Sequence, residues 1–393
     1  MFNFGKKKIA IVGAGNAGCF TAIHFLKYGA PDPVDIEIYY DPDSPIERVG
    51  QGTVLPPTEL IGDVLGVTWD NNLIDATIKT GFMYEGWGKK KEKIFSDFKF
   101  GHTSCHYIPQ KLSEMILKSN KVKVIEKKIE NPETEIDSNY IFDCRGSSNR
   151  NKNDYTPLIN PLNSVLLCNK PGGDPSLHYT RGIATPNGWT FIVPNRDSLS
   201  YGYLYNNTIT TKVEAKEDFL ERFNLPAIDG ELEFENYVAK DIFVGERTIL
   251  NGNRAFFLEP LEATATDFYL TICKHMWDYI TQLPTPIDKV ETNMSVRKVA
   301  KEVQNFILWH YQFGSKYDTP FWKYAKTLTF KDQEFDRMLY ESRSYDKYGI
   351  IPKSFGGRSM EVEDCFYAQW TPYSFKVWDQ GMTKELTDRS SLV

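Results

Sequence analysis

The sequence predicts an α/β fold: a doubly wound sheet, an antiparallel layer interleaved with it, and a helical region toward the C-terminus. Three observations predict it. The first forty residues read as strand, glycine-rich turn, helix and strand. Between about Leu166 and Asn206, strand-like segments alternate with turns. From Ile287 to about Arg343, apolar residues recur at helical steps.

Lys8 to Gly13 holds an unbroken apolar run of strand length, which fits a strand buried on both faces. Ala17 to Tyr28 follows as a helix, and Val34 to Tyr40 alternates as a second strand, completing a βαβ unit. Tyr140 to Gly146 reads as a later strand returning to the same sheet. The turn signals Asn187-Gly188 and Asn195-Arg196-Asp197 divide the antiparallel layer. Val296, Val299, Val303, Phe306 and Ile307 form one apolar stripe along the helical region. The final fifty residues, rich in Gly, Tyr, Trp and Ser, read as covering loops, and the aromatic stretch Phe366 to Trp378 is placed over a pocket. With no internal repeat and no low-complexity linker, the layers interleave in one body. Residues 1–290 carry the doubly wound sheet with the antiparallel layer at about 160–240, and residues 291–393 form a helical and loop region over the pocket.

Bulk properties exclude several classes. A chain of 393 residues buries a large core without staples. A net charge of -6 leaves no electrostatic footprint for nucleic acid. The six cysteines Cys19, Cys105, Cys144, Cys168, Cys273 and Cys365 contain no CxxC, so neither a zinc site nor a dithiol is expected, and a reduced cytoplasmic compartment fits. No apolar run reaches the roughly 18 residues of a membrane span, and Phe2 to Lys8 leads into the first strand without a signal peptide. His24, His102, His106, His178, His275 and His310 form no HExxH, so no metal is indicated, and no GxSxG elbow is present. Aromatic residues make up 14% of the chain, enough to line a flat apolar pocket as well as a core.

The first chemistry-bearing motif is Gly13-Ala-Gly15-Asn16-Ala17-Gly18, a GxGxxG between strand and helix. Gly13 permits the tight turn, Gly15 admits a pyrophosphate to the backbone, and Gly18 lets helix and strand pack closely. The anion then sits at a helix N-terminus, where free N–H groups and the dipole favour it. Asp41 ends the second strand and is the candidate for the ribose hydroxyls. FAD and NAD share this loop, so the motif alone does not choose between them.

Four further segments, in chain order, resemble flavin-dependent halogenases, the tryptophan-halogenase-like branch of the FAD monooxygenase superfamily. Pro45-Ile-Glu-Arg-Val49-Gly50-Gln-Gly-Thr53, with Pro56, is similar to the family's IPxxGVGEAT strap, departing at Gln51 and Gly52. Ala76-Thr-Ile-Lys79-Thr-Gly81, followed by Trp87-Gly88, resembles ATxKxG and WG. Phe257-Leu-Glu259-Pro-Leu-Glu262-Ala263-Thr264-Ala265 resembles EPLESTG, with alanine where the family often has serine. His310-Tyr311 and Asp318-Thr-Pro-Phe-Trp322 resemble HY and DTPFW. Gly188-Trp189-Thr-Phe191-Ile-Val-Pro194 is similar to GWxWxIP, a motif associated with blocking ordinary monooxygenation.

The resemblance implies a chemistry. Gly13, Gly15, Asn16, Ala17, Gly18, Asp41, Val49 and Gly50 would bind FAD, supplied as FADH2 by a separate flavin reductase. Thr264 and Ala265 would hold a halide ion through backbone N–H groups. Reduced flavin, oxygen and halide would yield hypohalous acid, delivered to Lys79. Glu262 would stabilise or deprotonate the ring of a small aromatic substrate as it takes the halogen. A buried amine suits this role because burial lowers its pKa. An FAD-dependent aromatic monooxygenase, which would not need Lys79, is the alternative. The sequence leaves a homo-oligomer open.

Overall fold

The computed structural model describes residues 7–29, 34–46, 49–88, 92–98, 103–281, 288–348 and 366–382. Glu47, Arg48, His102 and Cys365 lie outside these residues.

A six-stranded sheet forms the nucleotide side. Its order is 243–244, 248–250, 140–143, 8–12, 35–40 and 123–126. All neighbours are parallel except the terminal hairpin of 243–244 with 248–250. Strand Lys8–Val12 sits inside, with Ile11 opposite Ile38 on one side and Phe142 on the other. Its alternate residues serve two cores. Ile9 and Ile11 join the main core, while Ala10 and Val12 pack on Ile129, Ile136 and Ile141. That double burial is why the segment is continuously apolar. Helix Asn16–Tyr28 follows, and strand Tyr140–Asp143 returns to the same sheet as the sequence predicts.

A seven-stranded sheet forms the second layer, in the order 230–233, 164–171, 198–205, 188–194, 180–185, 81–85 and 93–97. Its hairpins turn where expected: Thr185 pairs with Gly188, and Asn195 N–H donates to Ser198 O across the next turn. A three-stranded sheet, 51–52, 104–107 and 77–79, sits between the two larger ones in the chain order, and the sequence did not foreshadow it. Its strands are two to four residues long, too short to show a period.

Helix Lys289–Phe313 begins at Asp288, whose carboxylate accepts from Val290 and Glu291 N–H at 3.0 and 2.9 Å. Val296, Val303, Phe306 and Ile307 are buried along it. The expectation of covering loops at the C-terminus is corrected. Gln333–Tyr348 continues the helical region as read, but Pro372–Met382 is a helix too, and Phe375, Trp378 and Met382 bury one face of it. The glycine- and serine-rich composition hid this three- and four-residue spacing. One core cluster runs from Ile9 to Met382, so these helices pack into the same interior as the nucleotide sheet.

Trp322 is fully buried and donates its indole N–H to Thr185 O at 2.7 Å, tying helix Pro320–Ala325 to the seven-stranded sheet. Trp322→Ala should cost about 3–5 kcal/mol, from the cavity and the lost apolar surface. Chemical denaturation measures this. A loss under about 1 kcal/mol would contradict the packing described.

Candidate active site

The glycine-rich loop opens a cleft of about 530 Å³ lined by Gly13, Gly15, Asn16, Ala17, Asp41, Lys128, Arg145 and Arg254. Gly13 has φ +109°, and a Cβ there would lie 2.7 Å from Cys144 O. A Cβ on Gly18 would fall 1.9 Å from Gly13 O, so Gly18 is the close-packing position. Gly15 meets nothing within 4 Å, so its open side faces the cleft. Gly15 also caps the helix without a side-chain bond, and no acid occupies the first turn. These features fit the pyrophosphate of a dinucleotide such as FAD. Asp41 lies at the carboxyl end of strand Asp35–Tyr40, its carboxylate accepting from Asp43 N–H at 3.0 Å. Arg145, not singled out from the sequence, is held by two bonds to Asp143, at 2.9 and 2.8 Å. Its signal was available: Asp143-Cys-Arg145-Gly follows a strand of the nucleotide sheet, at the edge where such folds bind ligands. Val49 and Gly50 are not among the cleft-lining residues. Gly50 instead packs on Asn195 and donates its N–H to Ser200 Oγ at 2.9 Å.

Lys79 ends strand Thr77–Lys79 of the small sheet and is fully buried. Its ammonium donates to Thr53 O at 2.9 Å and lies 3.9 Å from the centre of the Phe82 ring. Burial lowers its pKa to about 7, while the charge of Glu262 pulls it back up in part. The structure thus brings the two residues within electrostatic reach.

Glu262 stands in the turn before helix Ala265–Thr281, with φ +78°, and Ala263 follows at φ +51°. Two consecutive left-handed residues with side chains cost roughly 1–2 kcal/mol each. The turn, closed by Ala263 N–H to Pro260 O at 3.0 Å, drives the carboxylate inward. There Tyr84 O–H and His310 Nε2 reach Oε1, the latter at 2.9 Å, and Trp370 indole N–H donates to Oε2 at 3.1 Å. Burial pushes the Glu262 carboxyl up, but the bonds and charge from His310, with those from Tyr84 and Trp370, bring it below its ordinary value. His310 Nδ1 faces Phe306 O at 2.7 Å, so Nδ1 carries a proton and Nε2 is turned toward Glu262. Tyr84 escaped the sequence reading, and Trp370 was read only as part of the aromatic stretch Phe366 to Trp378 over the pocket, without its carboxylate partner. Tyr84 lies two residues beyond Phe82 on one strand, whereas nothing in sequence links Trp370 to residue 262.

Glu259, the other acid of that segment, is fully buried beside Tyr311 O–H, and burial pushes its pKa up to about 8. Thr264 precedes helix Ala265–Thr281, its carbonyl accepting from Phe268 N–H at 3.1 Å, so Thr264 and Ala265 stand at a helix N-terminus. Trp87, Trp189, Tyr311 and Trp322, far apart in sequence, meet as one aromatic cluster around Trp87. His106 lies beneath Lys79 in the small sheet, and His178 is exposed. Among the described residues, no group of three or more His, Cys, Asp or Glu can hold a metal, and no helix is long and apolar enough to cross a membrane.

The fold that carries this site is that of solved tryptophan halogenases. The tryptophan 6-halogenase SttH of Streptomyces toxytricini superposes with a TM-score of 0.76 at 18% identity, over 96% of this chain and 90% of that one. A tryptophan halogenase of Shewanella frigidimarina superposes with a TM-score of 0.78 at 16% identity, over 98% and 90%. The tryptophan halogenase family model matches residues 8–136 and 119–369, and the chain belongs to that family. It is 27% identical over 160 residues to the tryptophan 7-halogenase RebH of Lentzea aerocolonigenes, covering 39% of this chain and 30% of that protein. To the tryptophan 6-halogenase ThaL of Streptomyces albogriseolus it is 27% identical over 219 residues, covering 50% and 39%. The chain thus spans about a third of the length of these two relatives.

Two measurements test this geometry. Gly15→Val should abolish FAD binding in a fluorescence titration, because its side chain would stand in the open anion position; unchanged affinity would refute the placement. Glu259 stays protonated in the fold up to about 8 but ionises near 4.5 when unfolded. The stability it contributes is therefore complete below about 4.5 and lost as the pH rises toward about 8. In Glu259→Gln that fall should flatten. Denaturation curves with the same pH slope in both proteins would contradict a protonated Glu259.

Proposed function

We propose that this chain is a flavin-dependent halogenase, in which Lys79 receives hypohalous acid and halogenates an electron-rich aromatic small molecule. The observation that carries the reading is a fully buried amine with a pKa of about 7, coupled to Glu262 on the substrate side. Gly13, Gly15, Asn16, Ala17, Gly18 and Asp41 would hold FAD, with Val49 and Gly50 on the strap beside it, and Thr264 and Ala265 would hold the halide. Reduced FAD from a separate reductase, with oxygen and halide, supplies hypohalous acid when bound. Near neutral pH a large fraction of Lys79 is free amine, able to take the halogen or to hydrogen-bond the oxidant. The substrate ring then takes the halogen and becomes cationic. Glu262, anionic and fixed by three donors, stabilises that charge without reorganising, the kind of electrostatic contribution that usually dominates. The ring proton leaves toward Glu262.

The first test is incubation with reduced FAD, oxygen and each halide against indoles and phenols, read by mass. Lys79→Ala should still bind FAD and oxidise reduced flavin, with halogenated product down on the order of 100-fold or more. Wild-type yield from this variant would remove the lysine from the mechanism, and hydroxylated product independent of halide would favour a monooxygenase.

The pH profile supplies a second test. Turnover that needs the free amine rises with pH and levels off above about 7. Glu262→Gln removes the negative charge that holds the Lys79 pKa up, so the inflection should move to lower pH while turnover slows. An inflection that stays in place or moves upward would show that the two groups are not coupled.

A further inference from the structure

Three buried polar groups close over one bare glycine. A Cβ built on Gly52 would lie 3.1 Å from Lys79 Nζ, 3.3 Å from Thr180 Oγ1 and 3.4 Å from the His106 ring. Those distances crowd a methyl group. Glycine, where the resembling strap has alanine, lets amine, hydroxyl and imidazole share the same face. Lys79 and His106 are fully buried, and Thr180 is 6% exposed. The register of the small sheet produces the convergence, with Gly52 and Thr77 both opposite His106. Thr180 enters from strand Thr180–Thr185 of the seven-stranded sheet.

The hydrogen bonds among these groups have a fixed direction. Thr77 has one hydroxyl proton and donates it to Pro194 O at 2.6 Å. It can therefore only accept from His106 Nδ1, 3.2 Å away, so Nδ1 carries the ring proton. Burial, and Lys79 beside it, hold the His106 pKa well below its ordinary value, so Nε2 is a bare lone pair. Thr180 O–H, 2.9 Å from Nε2, donates to it. With its proton committed, the Thr180 oxygen has only lone pairs left to offer.

We propose that the Thr180 hydroxyl, aimed by His106, holds hypohalous acid against Lys79; this rests on the halogenase reading above. Hypohalous acid donates through its O–H and is electrophilic at the halogen. An acceptor with no proton to give binds the O–H end and turns the halogen toward the amine. The Lys79 lone pair then takes the halogen. The N–X bond forms, the O–X bond breaks, and an amine proton joins the departing hydroxide as water. Ala263 offers no hydroxyl near the site, and Thr180 supplies one from another strand. Thr180 and His106 act here as positioning residues.

The test uses the full chain with reduced FAD, oxygen, bromide, an indole and a dimedone trap for free hypobromous acid. Thr180→Val keeps the shape and removes the hydroxyl. It should oxidise flavin at the wild-type rate, lose about tenfold in product per flavin oxidised, the size of one hydrogen bond, and release correspondingly more trapped oxidant. Thr180→Ser should restore coupling to within about twofold. His106→Phe should behave as the valine variant does. Wild-type coupling in Thr180→Val would overturn the proposal, as would a serine variant as poor as the valine one. Wild-type protein that yields neither product nor trapped oxidant would instead overturn the halogenase reading itself.

Discussion

A lysine amine taken wholly out of water is the constraint on which the rest of this structure depends. An isolated buried charge is prohibitively costly, so the fold must either neutralise it or surround it. Here it does some of both. Burial draws the Lys79 pKa toward neutrality, the Thr53 carbonyl accepts one hydrogen bond from the amine, and Glu262 returns part of the lost electrostatic support. Near neutral pH the amine is poised between donor and nucleophile, which a solvated lysine, with its ordinary pKa of 10.5, is not.

Holding Glu262 opposite that amine requires unfavourable backbone. Residues 262 and 263 both adopt left-handed φ, a conformation that persists only where the surroundings over-determine it. The surroundings are Tyr84, His310 and Trp370, drawn from a strand, a long helix and the C-terminal segment. The stacking of Trp370 on Phe306, with centroids 3.9 Å apart, and the edge-to-face contact of Trp378 with His310 hold these donors in turn. The aromatic abundance of the chain therefore serves as a scaffold for one carboxylate as much as a core.

The two ends of the site use glycine in related ways. At the nucleotide cleft, Gly15 leaves helix N–H groups open to an anion. At the small sheet, Gly52 leaves its face open to Lys79, Thr180 and His106. At Gly15 the missing side chain leaves open space, and at Gly52 it lets polar side chains converge where a methyl would stand.

Much of the nucleotide side was legible from sequence, because its signals are local. The GxGxxG turn, the buried strand before it and the helix after it all lie within the first thirty residues. The hairpin turns of the antiparallel layer and the apolar stripe from Val296 to Ile307 are local too, and the structure places them as read. Lys79 and Glu262 could be named from short motifs, but their surroundings could not. The small sheet that buries Lys79 has strands of two to four residues, below the length at which periodicity speaks. The donors at Glu262 come from positions 84, 310 and 370, joined only by long-range packing. The C-terminal helix was hidden because its buried Phe375, Trp378 and Met382 stand in a stretch whose composition favours loops. The sequence by itself determined which residues could do chemistry. Burial, and the pKa shifts that follow from it, were decided only when distant strands and helices closed over them.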